Sequence, residues 1–205
     1  MFPFRLSIAL LFSLLPQLAT AQSCSDCITA YPLCDQTYLH FIIAAGIGKV
    51  ADADNVPCFR NGEQRGQAEV NSTWMSFQIK EAGQLSFIIT PDSISDGIDF
   101  VLFQLPEDGD CNHKKIVRCM AAGDRNDVEN SPCMGQTGLY AKETEIQEDA
   151  GCSDVGDNNW LKPLKAAAGE KYVLLVSNIT APRGFIIYFK GSAQLEPCVA
   201  VEKKE

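Results

Sequence analysis

Apolar and polar residues alternate along several stretches of this chain. In Trp74-Met75-Ser76-Phe77-Gln78-Ile79 the residues Met75, Phe77 and Ile79 share one side, and in Leu85-Ser86-Phe87-Ile88-Ile89-Thr90 the residues Leu85, Phe87 and Ile89 do the same. A period of two marks a strand with one face buried. Glu81-Ala82-Gly83 reads as a turn, so the two strands are expected to form an antiparallel hairpin. Pro91 closes it, because proline offers no donor to a ladder. Asp99 to Leu105 is a third strand. Val101, Phe103 and Leu105 fall on one face and Phe100 and Leu102 on the other, which suits a central position. Lys115 to Met120 is shorter. Glu170 to Ser177 is the strongest strand pattern, and Gly184 to Phe189 the last. Tyr38 to Ile43 and Glu143 to Ile146 are expected to add short strands, the second at an edge.

Between these stretches the chain is polar and rich in glycine. Asp52 to Gly66 and Asp92 to Gly97 read as loops, and Ala121 to Trp160 is long and mostly without period. A loop of that length in a compact domain is often functional. Lys162 to Ala168 allows one helical turn at most. With roughly seven or eight strands and no long helix, the pattern predicts an all-β, antiparallel two-layer β-sandwich, jelly-roll-like or immunoglobulin-like, with disulfide-stapled loops. One domain is expected over 22–200, with 201–205 as a loose tail.

The N-terminus sets the expected compartment. Arg5 precedes the apolar run Leu6 to Leu15, and Ala19-Thr20-Ala21 supplies small residues at a cleavage position. Residues 1–21 therefore read as a secretory signal peptide. The run is too short to span a bilayer, and no later stretch is longer, so no membrane span is expected. All nine cysteines follow the leader: Cys24, Cys27, Cys34, Cys58, Cys111, Cys119, Cys133, Cys152 and Cys198. In an exported chain they read as disulfides. Their number is odd, which leaves one for a thiol or for a disulfide-linked dimer. The Cys24-x-x-Cys27 spacing lacks the preceding strand of a thioredoxin-like site.

The net charge of -9 argues against nucleic acid, whose phosphates need clustered Lys and Arg. Hydrolysis calls for a nucleophile beside a base, or a positioned pair of acids. His40 and His113 stand apart, and no Gly-x-Ser-x-Gly, His-Glu-x-x-His or phosphate-binding glycine motif occurs. The chain reads as not an enzyme, and an unrecognised secreted hydrolase would need two distant carboxylates to meet in space. Asp92, Asp96 and Asp99 flank one loop and, with backbone carbonyls, form the candidate Ca2+ site; calcium takes oxygen ligands of this kind. No organic cofactor is expected. Trp74 opens a strand and is expected to pack. Trp160 follows Asn158 and Asn159, and with Tyr140 it is the candidate ligand-binding set. An exposed aromatic stacks on sugar rings while neighbouring amides bond their hydroxyls.

Several of these segments, in this order, carry a resemblance: Cys34-Asp35, Ser72-Thr73-Trp74, Gly83 to Pro91, Asp99 to Phe103, Arg118-Cys119, Gly138-Leu139, Gly169 to Asn178, Gly184-Phe185 and Gly191. Together they resemble a family of exported β-sandwich domains of Bacteroidetes, often found at the N-terminus of large surface or adhesin-like proteins. They are more loosely similar to bacterial pre-peptidase C-terminal domains. Large members of the first family continue into repeats and a sorting segment, whereas this chain ends soon after Cys198 and is expected to be the module alone. Both resemblances imply an accessory, binding or structural role rather than chemistry. The expected function is a secreted recognition module for adhesion or carbohydrate binding, with an extracellular glycan or surface protein as partner. The alternative is a structural, protein-interaction module of a secreted or cell-surface assembly.

Overall fold

The computed structural model describes residues 24–34, 38–42, 48–61, 64–65, 69–123, 131–152 and 154–197. The expected leader, the tail, Ile43 and Cys198 lie outside these residues. In chain order the first strands are β1 (Tyr31–Pro32), β2 (Tyr38–Phe41), β3 (Arg60–Asn61), β4 (Gln64–Arg65) and β5 (Ser72–Glu81). Then come β6 (Gly83–Pro91), β7 (Ile98–Leu105), β8 (Lys115–Met120), β9 (Thr137–Leu139) and β10 (Gln147–Glu148). The last are β11 (Trp160–Leu161), β12 (Leu164–Ala166), β13 (Lys171–Asn178), β14 (Phe185–Gly191) and β15 (Gln194–Leu195).

Two sheets face each other. The first runs β1-β5-β13-β7-β8-β10 with β15 beside β5, and the second runs β11-β9-β6-β14-β2 with β12 beside β6. The long central strands pair antiparallel. Three short edge pairs, β1 with β5, β10 with β8 and β11 with β9, are parallel. Met75, Phe77 and Ile79 of β5 meet Leu85, Phe87 and Ile89 of β6 across the interior, joined by Phe100 and Leu102 of β7, Leu174 and Val176 of β13, and Phe185 and Ile187 of β14. Each such side chain stabilises the fold by about 1.5–3 kcal/mol when buried. The all-β sandwich read from the alternation is the architecture observed.

The hairpin is not. β5 and β6 belong to opposite sheets, and the chain crosses between layers at Ala82 and Gly83. A period of two fixes which face of a strand is buried, not which strand lies beside it. Both inward faces point into the same core, which an arch between layers satisfies as well as a hairpin. Gly83 permits the crossing: a Cβ there would lie 2.5 Å from the Ala193 backbone nitrogen. Two further expectations differ. Leu164 to Ala166 is a strand against β6 rather than a helical turn. The edge strand expected over Glu143 to Ile146 lies one step later, at Gln147–Glu148 beside β8.

β7 and β13 are buried on both faces. Their second faces, Val101, Phe103, Val173 and Leu175, form a smaller core with Trp74, Ala53, Val56, Cys58 and Phe59. The irregular N-terminal segment thus lies over the outside of the first sheet. Trp74 is fully buried, stacks on Phe103 at 5.8 Å and donates from Nε1 to Glu69 Oε1 at 3.0 Å. Disulfides hold this cover: Cys27–Cys111 and Cys58–Cys119, with Cα atoms 6.1 and 6.2 Å apart. Cys133–Cys152 closes a third loop. Cys34 is also disulfide-bonded. Cys24 keeps a thiol whose pKa burial pushes up.

Candidate functional site

The long segment after β8 is not one loop. Thr137–Leu139 enters the second sheet beside β6, and Trp160–Leu161 returns to pair in parallel with it, Trp160 opposite Gly138. Gly138 has φ 144°, and a Cβ there would run into the Phe87 carbonyl, so only glycine lets β9 come so close to β6. Asn159 is buried with φ 71°, a left-handed conformation that asparagine tolerates. Its Nδ2 donates to the Gln136 carbonyl at 3.0 Å, and its own carbonyl accepts from Thr137 Oγ1 at 2.7 Å. Asn158 Oδ1 accepts from the Trp160 amide at 2.9 Å, and Asn158 Nδ2 donates to Glu143 Oε2 at 3.1 Å.

These bonds place Tyr140 and Trp160 side by side at the surface. Their ring centroids are 5.7 Å apart and the planes are tilted by 55°. Tyr140 is 44% exposed and Trp160 half-buried. All four residues of the expected ligand-binding set therefore come together. The two rings form the outer face, while Asn158 and Asn159 sit beneath as supports.

Glu148, which binds the amides of this segment, also lines a cavity of about 240 Å³ with Glu145, Asp149, Asp154 and Asp157; neither ring lines it. Glu148 is 3% exposed. It accepts the amides of Asn158 (Oε1, 3.2 Å) and Asn159 (Oε2, 3.1 Å). Burial pushes its carboxyl up to about 7; the two amides pull it down, and Asp157 and Glu143 push it further up. Sequence reading missed Glu148, because an acid in a polar stretch carries no mark of burial. The one available sign was its position just after the expected edge strand.

The three aspartates of the candidate calcium site each have partners of their own. Asp96 is fully buried and bound by Arg183, whose Nε donates to Oδ2 at 2.9 Å and whose second nitrogen contacts Oδ1. Asn178 Nδ2 donates to the same Oδ2 at 2.8 Å. Asp99 Oδ1 accepts the Gly123 amide at 3.0 Å. Asp92 Oδ1 lies 2.9 Å from His40 Nε2. Among the described residues no group of three or more His, Cys, Asp or Glu side chains is arranged to hold a metal. His113 Nδ1 lies 2.6 Å from Asp110 Oδ2, far along the chain from His40.

A second buried acid, Glu69, accepts from Trp74 Nε1 and, at 3.2 Å, from the Ala53 amide. Burial again dominates and pushes it up to about 7, with Asp52 and Asp54 adding to the rise. Between the ordinary value of 4.5 and about 7 the folded chain keeps protons that the unfolded chain has released. Stability therefore falls as pH rises through that window and levels off above it. Calorimetry from about pH 5 to about pH 8 is expected to show this decline, and a shallower one in Glu69→Gln. An unchanged slope in the variant would remove Glu69 from the account.

No family model and no curated protein matches the chain.

Proposed function

We propose that this protein is a secreted, non-catalytic recognition module that binds carbohydrate, in an adhesive role, through the Tyr140–Trp160 face. The observation that carries the reading is the aromatic pair itself. Two large rings stand at the surface, where burial would have been favoured by their area. A parallel strand pair and the Asn158 side chain fix their backbone, so little ordering is left to pay for on binding. The carboxylates of the cavity that Glu148 lines offer acceptors for hydroxyl groups. The disulfides support an oxidising, extracellular setting. The order of strand segments, which resembles that of exported adhesin-like sandwich domains, points the same way.

The test is an array of glycans and polysaccharides probed with the mature protein, with calcium and with chelator. Saturable, selective binding is expected, and Trp160→Ala is expected to abolish it while thermal unfolding stays cooperative. Retained affinity in that variant would take Trp160 out of the site. Loss of binding in chelator would bring calcium into the reading.

A second reading, a protein-interaction module, is favoured by one feature. β2 is the last strand of its sheet among the described residues, with Tyr38 59% and Ile42 89% exposed. An open, apolar sheet edge is suited to pairing with another chain. An array without hits, followed by co-purification of a partner lost on Tyr38→Lys, would favour it.

A further inference from the structure

The segment that carries Trp160 is held from both sides by ionisable side chains of the first sheet. After Trp160, Arg118 of β8 donates through Nε to the Lys162 carbonyl and through its second terminal nitrogen to the Pro163 carbonyl at 2.7 Å. Before it, Glu148 of β10 accepts the amides of Asn158 and Asn159. The two clamps differ in kind. Arginine stays charged throughout the range in which proteins fold. A carboxyl group changes charge within it.

We infer that Glu148 is the positioning residue of the aromatic face, and that its ionisation loosens the Asn158–Asn159 segment on which Trp160 stands. The inference rests on the reading of Tyr140 and Trp160 as the binding face. The geometry gives it direction. Glu148 is almost wholly buried when the segment is docked, and its neighbours there are acids. Glu145, Asp149, Asp154 and Asp157 line the cavity with it, and Glu143 lies behind Asn158. Arg118, the cation on the neighbouring strand β8, gives its guanidinium to the carbonyls of Val117, Lys162 and Pro163. The two backbone amides stabilise the anion, but its loss of water and the surrounding charge outweigh them, as the upward shift to about 7 records. Undocking the segment returns Glu148 to water and to an ordinary carboxyl. Protonation therefore favours the docked segment and ionisation favours its release. The window lies between the two values, from about 4.5 to about 7, with opening levelling off above.

Amide hydrogen exchange read by NMR tests this without any glycan. Protection of the Asn158 and Asn159 amides is expected to fall by roughly tenfold for each pH unit across that window, beyond any change at core amides of β13, and then to level off. Glu148→Gln keeps an acceptor for the amides but carries no charge, and is expected to hold protection flat. Asp157→Asn removes one repelling charge and is expected to narrow the window from its upper end, which keeps the test decisive if Glu148→Gln folds poorly. A wild-type profile parallel to that of the β13 amides, or the same decline in Glu148→Gln, would overturn the inference. Failure of the glycan array with this exchange profile intact would instead fault the proposed ligand and leave the positioning role standing.

Discussion

Asp96→Ala is expected to destabilise the fold by about 1–3 kcal/mol, the range for leaving buried hydrogen-bonding groups without a partner. Asp96 is the only acid of its loop that is wholly enclosed, and three donor groups from two residues converge on it. Removing the carboxylate leaves Asn178 Nδ2 without its best acceptor and strips the Arg183 guanidinium of its counter-charge. The damage extends past one contact. Asn178 Oδ1 also accepts the amides of Thr180 and Ala181, and Thr180 Oγ1 accepts the amide of Gly97. These bonds lock the β6–β7 connection to the β13–β14 connection. Urea denaturation is the measurement, and Asp96→Asn should lose less because it keeps one acceptor oxygen. Calcium and chelator are expected to give the same loss. A cost below about 1 kcal/mol would mean that the Arg183 contact adds little, and a cost that appears with calcium and vanishes in chelator would mean that Asp96 serves a metal rather than Arg183.

Replacing both Cys58 and Cys119 by alanine is expected to cost about 4 kcal/mol, from the chain entropy released when a loop of this length opens. The two residues are 61 positions apart and essentially unexposed. They sit in the smaller core, where Cys58 joins Phe59, Val56 and Ala53 to Trp74 and Val101. The bond is therefore both a tether and a piece of packing. Its loss should free the N-terminal cover before it disturbs the sandwich. Limited proteolysis is expected to cut within residues 48–59 of the variant while the β5 to β14 body stays intact. Simultaneous loss of both regions would show that the cover and the sandwich unfold as one unit.

Much of the sandwich was legible because its interior obeys one rule. Met75, Phe77, Ile79, Leu85, Phe87 and Ile89 alternate cleanly, and alternation is what a half-buried strand requires. β7 declared itself central through Phe100 and Leu102 opposite Val101 and Phe103. Strand partners were not legible, since Met75 and Leu85 look the same whether their strands lie side by side or face to face. The short parallel edges were also hidden. Two or three residues such as Gln147–Glu148 or Trp160–Leu161 have no room for a period, and their pairing is decided by tertiary contacts. Trp160 after Asn158 and Asn159, with Tyr140 in the same segment, can be named from the sequence, but not that the two rings lie side by side. What brought these residues together, the close approach at Gly138 and the buried Glu148, is a matter of three-dimensional proximity. The aspartates show how little spacing along the chain says about partners. Asp92, Asp96 and Asp99 are neighbours along the chain, yet one sees a histidine, one an arginine and one a backbone amide.

The order of strands has a consequence for how this chain is made. β13 lies between β5 and β7, and β14 lies between β6 and β2. Each sheet thus receives a middle strand from the last part of the sequence. During vectorial synthesis the first layer cannot close until residues up to Asn178 are available, nor the second until Gly191, although β7 can pair with β8 and β6 with β9 before then. A truncation before β13 is expected to yield aggregate rather than a smaller domain.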